Sequence, residues 1–169
     1  MDRTIKMLLC ALVALFCFSW SGRAQRIAIS SDAVKWAALS PNLGFEIALS
    51  QHHAFSLSAA TCPVKVSDAL SVTHITVIPE YKYWLRMPFY GHYMGANLLY
   101  SSYEAAGSRY SGAGNIVAAC VNYGYSFIIN SRWNVVPFAG VGIGVDVADK
   151  TSFIPLVARI GVNFQLVVK

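Results

Sequence analysis

The feature that most constrains the fold of this chain is a period-two alternation of apolar with small or polar residues in short segments. In residues 42–50 the odd positions are apolar, from Leu43 to Leu49, and the even positions are small or polar, Glu46 among them. Successive side chains of a β-strand point to opposite faces, so this pattern indicates strands with one face in an apolar medium. The same alternation predicts strands at 54–62, 75–86, 117–129, 135–147 and 154–166, and weaker patterns predict two more at 27–39 and 91–104.

The charged residues of these segments share a face with glycines and alanines, and the large apolar residues occupy the other face. A soluble barrel such as a lipocalin has the opposite arrangement, with large apolar residues inside and charges outside. Charges and small residues suit a narrow interior, and bulky apolar residues suit contact with lipid. The sequence therefore predicts an all-β fold, an eight-stranded antiparallel up-and-down transmembrane β-barrel of the outer-membrane type.

The composition agrees with a membrane barrel. Hydrophobic residues make up 56% of the chain and charged residues 12%, whereas about a quarter of a soluble domain is charged. Beyond residue 24 no uninterrupted apolar run approaches the ~20 residues of a transmembrane helix. The apolar excess must therefore be distributed over short strands.

Residues 1–24 have the organisation of a secretory signal peptide. Arg3 and Lys6 precede an apolar run, and the small residues Gly22 and Ala24 precede an expected cleavage before Gln25. Residues 25–169 are then one barrel domain. Cleavage lowers Lys+Arg from 13 to 10, Asp+Glu from 8 to 7 and the net charge from +5 to +3. This charge is small and scattered, so no nucleic-acid partner is expected.

The lengths of the connections between strands predict the topology. Short connections at 51–53, 87–90 and 130–132 alternate with longer ones at 63–71, 105–112 and 148–152. Bacterial barrels have an even number of strands, short periplasmic turns and longer outer loops, so both termini are expected in the periplasm. Aromatic residues near the strand ends are expected to form interfacial belts: Tyr83, Phe89, Tyr90, Tyr125, Phe127 and Trp133 on the periplasmic side, and Tyr103, Tyr110 and Phe153 on the outer side.

The polar residues on the inner face are expected to pair inside the barrel and to close it. They are Lys35, Glu46, Glu80, Lys82, Arg86, Asn122, Asp146 and Arg159. An eight-stranded barrel is just filled by its side chains, so we expect a structural network; a gated ion path is the alternative. Asn122 is expected near Lys82 or Arg159, so Asn122→Asp is expected to cost less than about 1 kcal/mol.

The histidines and cysteines predict no catalytic, cofactor or metal site. His74 lies close in sequence to Ser71 and Thr73, a combination that nucleophilic catalysis uses, but no acidic partner can be identified. The remaining histidines, His52, His53 and His92, are expected at turns or strand starts as solvated or interfacial residues. Cys62 and Cys120 fit no metal motif, and the sequence leaves open whether they form a disulfide.

The last strand resembles the barrel-assembly signal of outer-membrane proteins in Arg159, Gly161, Phe164 and Leu166, although the usual terminal aromatic residue is absent. The wider chain is similar to the Bacteroidetes outer-membrane proteins catalogued as domain of unknown function 3575. The resembling segments are 40–46, 79–84, 91–95, 121–125 and 131–134, of which Pro-Asn-Leu-Gly and Arg-Trp-Asn are the most specific. The resemblance implies a small outer-membrane barrel with no established activity.

The expected function is therefore structural. We expect a barrel without an open pore that anchors or contacts another component of the cell envelope. Its expected partners are outer-membrane lipid, the barrel-assembly machinery and another envelope or surface protein. The alternatives are a soluble periplasmic lipocalin-like barrel for a small apolar ligand and an outer-membrane lipid-modifying enzyme.

Overall fold

A computed structural model of the protein describes residues 26–67, 70–107, 111–147 and 152–168, which form one closed antiparallel barrel. Eight strands follow chain order around it, and β1 closes the barrel by pairing with β8. They are β1 (Ile27–Asp32), β2 (Asn42–Ala48), β3 (His53–Ser67), β4 (Leu70–Trp84), β5 (Gly91–Gly107), β6 (Ser111–Ile128), β7 (Trp133–Asp146) and β8 (Ser152–Val168). The predicted eight-stranded up-and-down barrel is confirmed. Within the described ranges, no helix has the length and hydrophobicity to span a bilayer.

The first predicted strand, residues 27–39, is wrong in its second half. β1 ends at Asp32, and a short helix, α1 (Ala33–Ala37), follows it. The Asp32 carboxylate caps this helix by accepting a hydrogen bond from the Val34 backbone N–H at 3.0 Å. The spacing of Val34 and Trp36, interpreted as strand alternation, therefore belongs to a helix that leads from β1 towards β2.

The barrel has two different ends. The connections β2–β3, β4–β5 and β6–β7, together with the start of β1 and the end of β8, form what we call the turn end. Helix α1 and the connections β3–β4, β5–β6 and β7–β8 form the loop end.

The long connections predicted at 63–71 and 105–112 are wrong. β3 and β4 pair as far as Ser67 and Leu70, and β5 and β6 pair as far as Ala106 and Ser111. Only residues 68–69 and 108–110 lie between these strands. The segment 63–73 is rich in β-branched residues, which favour extended hairpins over loops. The predicted alternation of short and long connections therefore does not hold, although the strand count does.

A β-bulge changes the side-chain direction near the start of β8. Gly142 pairs with Val157 and Gly144 with Ile154, so Pro155 and Leu156 both oppose a single residue of β7. The extra residue reverses the alternation. Ile154 therefore lies on the inner face opposite Gly144, and its predicted place on the outer face is wrong.

The two faces of the wall have opposite compositions. On the outer face Leu43, Val121 and Ile160 are 64%, 62% and 74% exposed. The inner face also buries many polar or charged side chains: Asp32, Glu46, Ser56, Glu80, Lys82, Asn97, Asn122, Ser126, Asn134 and Gln165. The large aromatic side chains of the interior cluster at the turn end, around Trp84, Phe89 and Tyr93.

Candidate functional site: the closed barrel interior

An aromatic plug fills the barrel at its turn end. Trp84 lies at the end of β4 and packs on Tyr93 of β5 and on Phe89 of the intervening turn, with ring centroids 4.9 and 6.1 Å apart. Phe138 and Val136 of β7 complete the cluster. All of these side chains are buried, so the mouth of the barrel is blocked by packed rings.

Phe89 reaches the plug from a strained turn. Its φ is 69°, a left-handed conformation that costs a non-glycine residue free energy. Two buried side chains hold it there: Ser126 Oγ donates to the Phe89 carbonyl at 2.8 Å and Asn134 Nδ2 donates to it at 2.9 Å. Phe89 therefore points into the barrel, and its predicted place in an interfacial belt is wrong.

Beyond the plug, a buried ion pair connects strands that are not neighbours. Lys82 of β4 donates to Glu46 Oε2 of β2 at 2.6 Å, and Gln165 of β8 donates to the same oxygen at 3.2 Å. The Lys82 ammonium also lies 4.9 Å from the centre of the Tyr93 ring. β3 lies between β2 and β4, and β1 lies between β8 and β2. The contacts among these side chains therefore cross the interior.

A second polar contact crosses the interior between β4 and β6. Asn122 Nδ2 donates to Glu80 Oε1 at 2.9 Å. Glycines on the adjacent strands make room for it: a Cβ at Gly95 would lie 3.2 Å from Glu80 Cδ, and one at Gly140 would lie 2.8 Å from Asn122 Cγ. Asn122 thus faces a carboxylate and not the expected cations, which removes the reason for expecting Asn122→Asp to be mild.

Towards the loop end the interior narrows to a small polar cavity of about 30 Å³. Lys35 of α1 lines it together with Asp32 and Arg159. Burial lowers the pKa of Lys35, and Arg159 lowers it further, while Asp32 and Glu80 act in the opposite direction. The Arg159 guanidinium lies 5.4 Å from the centre of the Phe138 ring. A cavity of this size admits only a few water molecules.

Two further predicted interior residues lie near opposite ends of the barrel. Asp146, near the loop end of β7, accepts a hydrogen bond from the Tyr103 hydroxyl at 2.9 Å. Tyr103 is therefore an inner-face residue and not part of an outer belt. Arg86, in contrast, is exposed at the turn end, 5.8 Å from the centre of the Tyr90 ring. Its predicted place in the interior is wrong, because β4 ends at Trp84 and the alternation does not continue into the turn.

His74 contacts a hydroxyl that is distant in sequence, and the side chain of Ser71 lies outside the described part of the structure. His74 Nε2 lies 3.1 Å from the Oγ of Ser40, which also donates to the Thr61 carbonyl at 3.3 Å. Ser40 is 3% exposed, so a substrate cannot reach its hydroxyl. Among the described residues no carboxylate orients His74, and no three His, Cys, Asp or Glu side chains are grouped as metal ligands. Cys62 and Cys120 are separate buried thiols.

Trp84, Tyr93 and Phe138 are interior residues that sequence reasoning did not identify. Gln165, which has the same parity in β8 as Arg159, was placed on the inner face but without a role in the network. Tyr93 alternates with Gly95 and Asn97, but the apolar residues on both faces of this segment obscured the pattern. Bulky aromatic residues inside a barrel otherwise carry no local signal, because only the packing of opposite strands shows where a ring fits.

The closed barrel, with its polar interior and apolar outer wall, is a small eight-stranded barrel of the outer-membrane type. Solved structures of this class are similar to it. Neisserial surface protein A is 9% identical, with a TM-score of 0.54, and the match covers 84% of this chain and 94% of that one. The N-terminal β-barrel domain of Pseudomonas aeruginosa OprF is 15% identical, with a TM-score of 0.52 and coverages of 83% and 97%.

The chain belongs to the family described as "Protein of unknown function (DUF3575)", which it matches over residues 8–156. This match confirms the family suggested by the Pro-Asn-Leu-Gly and Arg-Trp-Asn segments. No curated protein matches the chain. The solved structures therefore show the fold, the family shows the relationship, and the function must be inferred from the interior and the surface.

Proposed function

We propose that this protein is a non-conducting outer-membrane barrel that serves as a structural or anchoring element of the cell envelope. The observation that carries the proposal is the contrast between its faces. The interior is occupied by the plug around Trp84 and by the ion pair of Glu46 and Lys82, while large apolar side chains cover the outside. Lipid solvates such an outer surface, and the filled interior leaves no room for a transported solute.

The interior argues against the two alternative functions. A lipocalin-like protein needs an apolar cavity, whereas the described inner face holds buried charges and, among them, a polar cavity of about 30 Å³. A lipid-modifying enzyme needs an accessible nucleophile, and the hydroxyl that contacts His74, that of Ser40, is buried. The anchoring function needs neither feature.

Strand lengths support an orientation. A transmembrane strand needs about 9–11 residues, whereas β3, β4, β5 and β6 have 15, 15, 17 and 18 residues. Their surplus extends beyond the apolar wall at the loop end. Because outer-membrane barrels project more protein outwards than into the periplasm, we propose that the loop end faces outwards and both termini are periplasmic.

The proposal includes export and assembly. Residues 1–24 act as a cleaved signal peptide, and the barrel occupies 25–169, with Ala24 and Gln25 flanking the cleavage site. In β8, Arg159 and Gly161 face inwards and Phe164 is 47% exposed on the outer wall, an arrangement that leaves Phe164 and Leu166 available to the barrel-assembly machinery. The anchoring partner would be another envelope component that contacts the projecting hairpins.

Fractionation of expressing cells tests the location. We expect the protein in outer membranes with Gln25 as its first residue, measured by N-terminal sequencing. Recovery in the soluble periplasm after osmotic shock would contradict the proposal.

For orientation, an epitope inserted between residues 68 and 69 should bind antibody on intact cells, and the matched insertion at Ser131 should not. The opposite labelling would reverse the orientation without affecting the membrane location.

A further inference from the structure

The described part of the turn end carries basic side chains and no acidic ones. Three arginines lie there, Arg26 before β1, Arg86 in the β4–β5 turn and Arg132 in the β6–β7 turn, and all are exposed. Three histidines, His52, His53 and His92, lie at the same level. Among the described residues of this end no Asp or Glu occurs; the nearest is Glu46, which is 1% exposed and paired with Lys82.

The loop end differs in composition. Its segments contain acidic residues, such as Asp32, Glu104 and Asp146, as well as a basic one, Lys35. The charge asymmetry is therefore a property of one end and not of the whole chain. We call the three arginines and three histidines of the turn end the cationic rim; its formal positive charge is that of the arginines.

The cationic rim is spread around the whole mouth. Its members lie before β1, in the turns β4–β5 and β6–β7, and at the starts of β3 and β5. The β4–β5 turn extends across the mouth towards β1, because Arg26 Nη1 lies 3.8 Å from Met87 Sδ. A protein ligand would bind to one contiguous patch. Charge distributed around the mouth instead suits a ligand that surrounds the barrel, as a membrane does.

Aromatic and imidazole side chains place this ring at a membrane interface. His53 packs on Tyr81 and Tyr83, and His92 packs on Tyr123 and Tyr125, in both cases on the outer wall next to the turn end. The hydroxyls of Tyr81 and Tyr123 are hydrogen-bonded to the Nδ1 atoms of His53 and His92. Tyrosine rings with paired hydroxyls are typical of headgroup depth. The arginines next to them therefore lie at the level of lipid phosphates.

We infer that the cationic rim binds the phosphate groups of anionic phospholipids and concentrates these lipids around the turn end. Guanidinium groups suit this ligand, because their planar fork of donors matches phosphate oxygens. This inference rests on the proposed membrane location of the barrel but not on its orientation. Near a membrane surface each basic residue increases the affinity for anionic lipid by about five-fold.

The structure offers a local probe at each end. Trp133 lies beside Arg132 at the turn end and is 45% exposed, and Trp36 lies on α1 at the loop end and is 55% exposed. Trp84 is fully buried in the plug and gives the same background in every variant. The Trp36→Phe variant therefore reports on the lipid around Trp133. The Trp133→Phe variant reports on the lipid around Trp36.

The test reconstitutes both variants of the mature protein, purified from membranes after loss of residues 1–24 and hence of Trp20, into phosphatidylcholine vesicles containing a minority of phosphatidylglycerol. In separate samples one or the other lipid carries brominated chains, which quench nearby tryptophan, and the ratio of quenching gives the local enrichment of the anionic lipid. We expect an enrichment of about five-fold around Trp133 and about one-fold around Trp36. The enrichment around Trp133 should fall in about 1 M salt, which shortens the Debye length to about 3 Å.

Substitution of the rim gives the control. Arg26→Gln, Arg86→Gln and Arg132→Gln combined in the Trp36→Phe background should reduce the enrichment around Trp133 to about one-fold, while the three matched Arg→Lys changes should retain most of it. Equal enrichment at both ends, or an unchanged value in the Gln variant, would overturn the inference and leave the proposed membrane location intact. Failure to insert into either kind of vesicle would instead overturn the proposed function together with this inference.

Discussion

At the level of single residues, Glu46 and Lys82 form a buried ion pair across the interior. Lys82→Met would leave the Glu46 carboxylate buried without its cation. Removing one partner of a buried ion pair costs about 3–5 kcal/mol. We therefore expect a loss of that size in the free energy of unfolding, measured by urea-dependent refolding into lipid vesicles.

The double variant Lys82→Met/Glu46→Leu provides the control for this change. Because it removes both charges and leaves apolar groups in the interior, we expect it to be more stable than Lys82→Met alone. If the double variant loses as much stability as Lys82→Met and Glu46→Leu lose together when measured separately, the two residues are not coupled. That result would contradict the 2.6 Å contact.

Adjacent residues of β6 test which face meets lipid. Val121 is 62% exposed on the outer wall, and Asn122 is buried against Glu80. Val121→Arg places a charge in hydrocarbon and should cost about 2–4 kcal/mol near the midplane. We expect vesicle refolding to show this loss, while Val121→Leu, the apolar control, should refold like the parent. A harmless Val121→Arg would mean that the faces are assigned backwards.

Asn122→Asp tests the contact with Glu80. The new carboxylate would replace the amide that donates to Glu80 at 2.9 Å, and two adjacent carboxylates repel. We expect a destabilisation of about 1–3 kcal/mol near neutral pH. It should diminish on acidification as one carboxyl takes up a proton, and Glu80→Gln in the same chain should restore stability. A pH-independent effect would show that charge repulsion is not its cause.

At the level of elements, the β4–β5 turn combines a packing role with backbone strain. Phe89→Ala should lose about 3–5 kcal/mol, because a buried ring is removed while the strained backbone is kept. Phe89→Gly loses the same ring but relieves the φ of 69°, so it should be about 1–2 kcal/mol more stable than the Ala variant. Refolding measures both, and equal stabilities would show that the turn stores no strain.

The lengths of the hairpins are also an element-scale property, and here interpretation of the sequence was least accurate. The sequence pattern predicts long connections at 63–71 and 105–112, whereas the strands continue through most of both segments. A hairpin that extends beyond the membrane has water on both faces and therefore needs no apolar alternation. Its two strands are held together by backbone hydrogen bonds to each other. The sequence of one segment alone does not show this pairing.

At the level of the whole molecule, closure of the sheet predicts resistance to detergent. A closed barrel has no free strand edge from which unfolding can begin, and β1 pairs with β8 over residues 27–32 and 163–168. The unheated protein should therefore migrate differently from the boiled protein in detergent gels. Lys82→Met, with its weakened interior, should convert at a lower temperature. Identical migration of heated and unheated wild-type protein would contradict a stable closed barrel.

The sequence by itself determined the class of fold, the number of strands and which side chains face outwards over most of the wall. It could do so because membrane and interior impose opposite requirements on successive residues, so the period of two is written into each strand. Only the tertiary structure decided that residues 33–37 form a helix, that β8 contains a bulge at Pro155, and that Asn122 meets Glu80 and not a cation. Partners across the interior come from strands that are distant in sequence, and their distances depend on how the barrel closes, which no local pattern records.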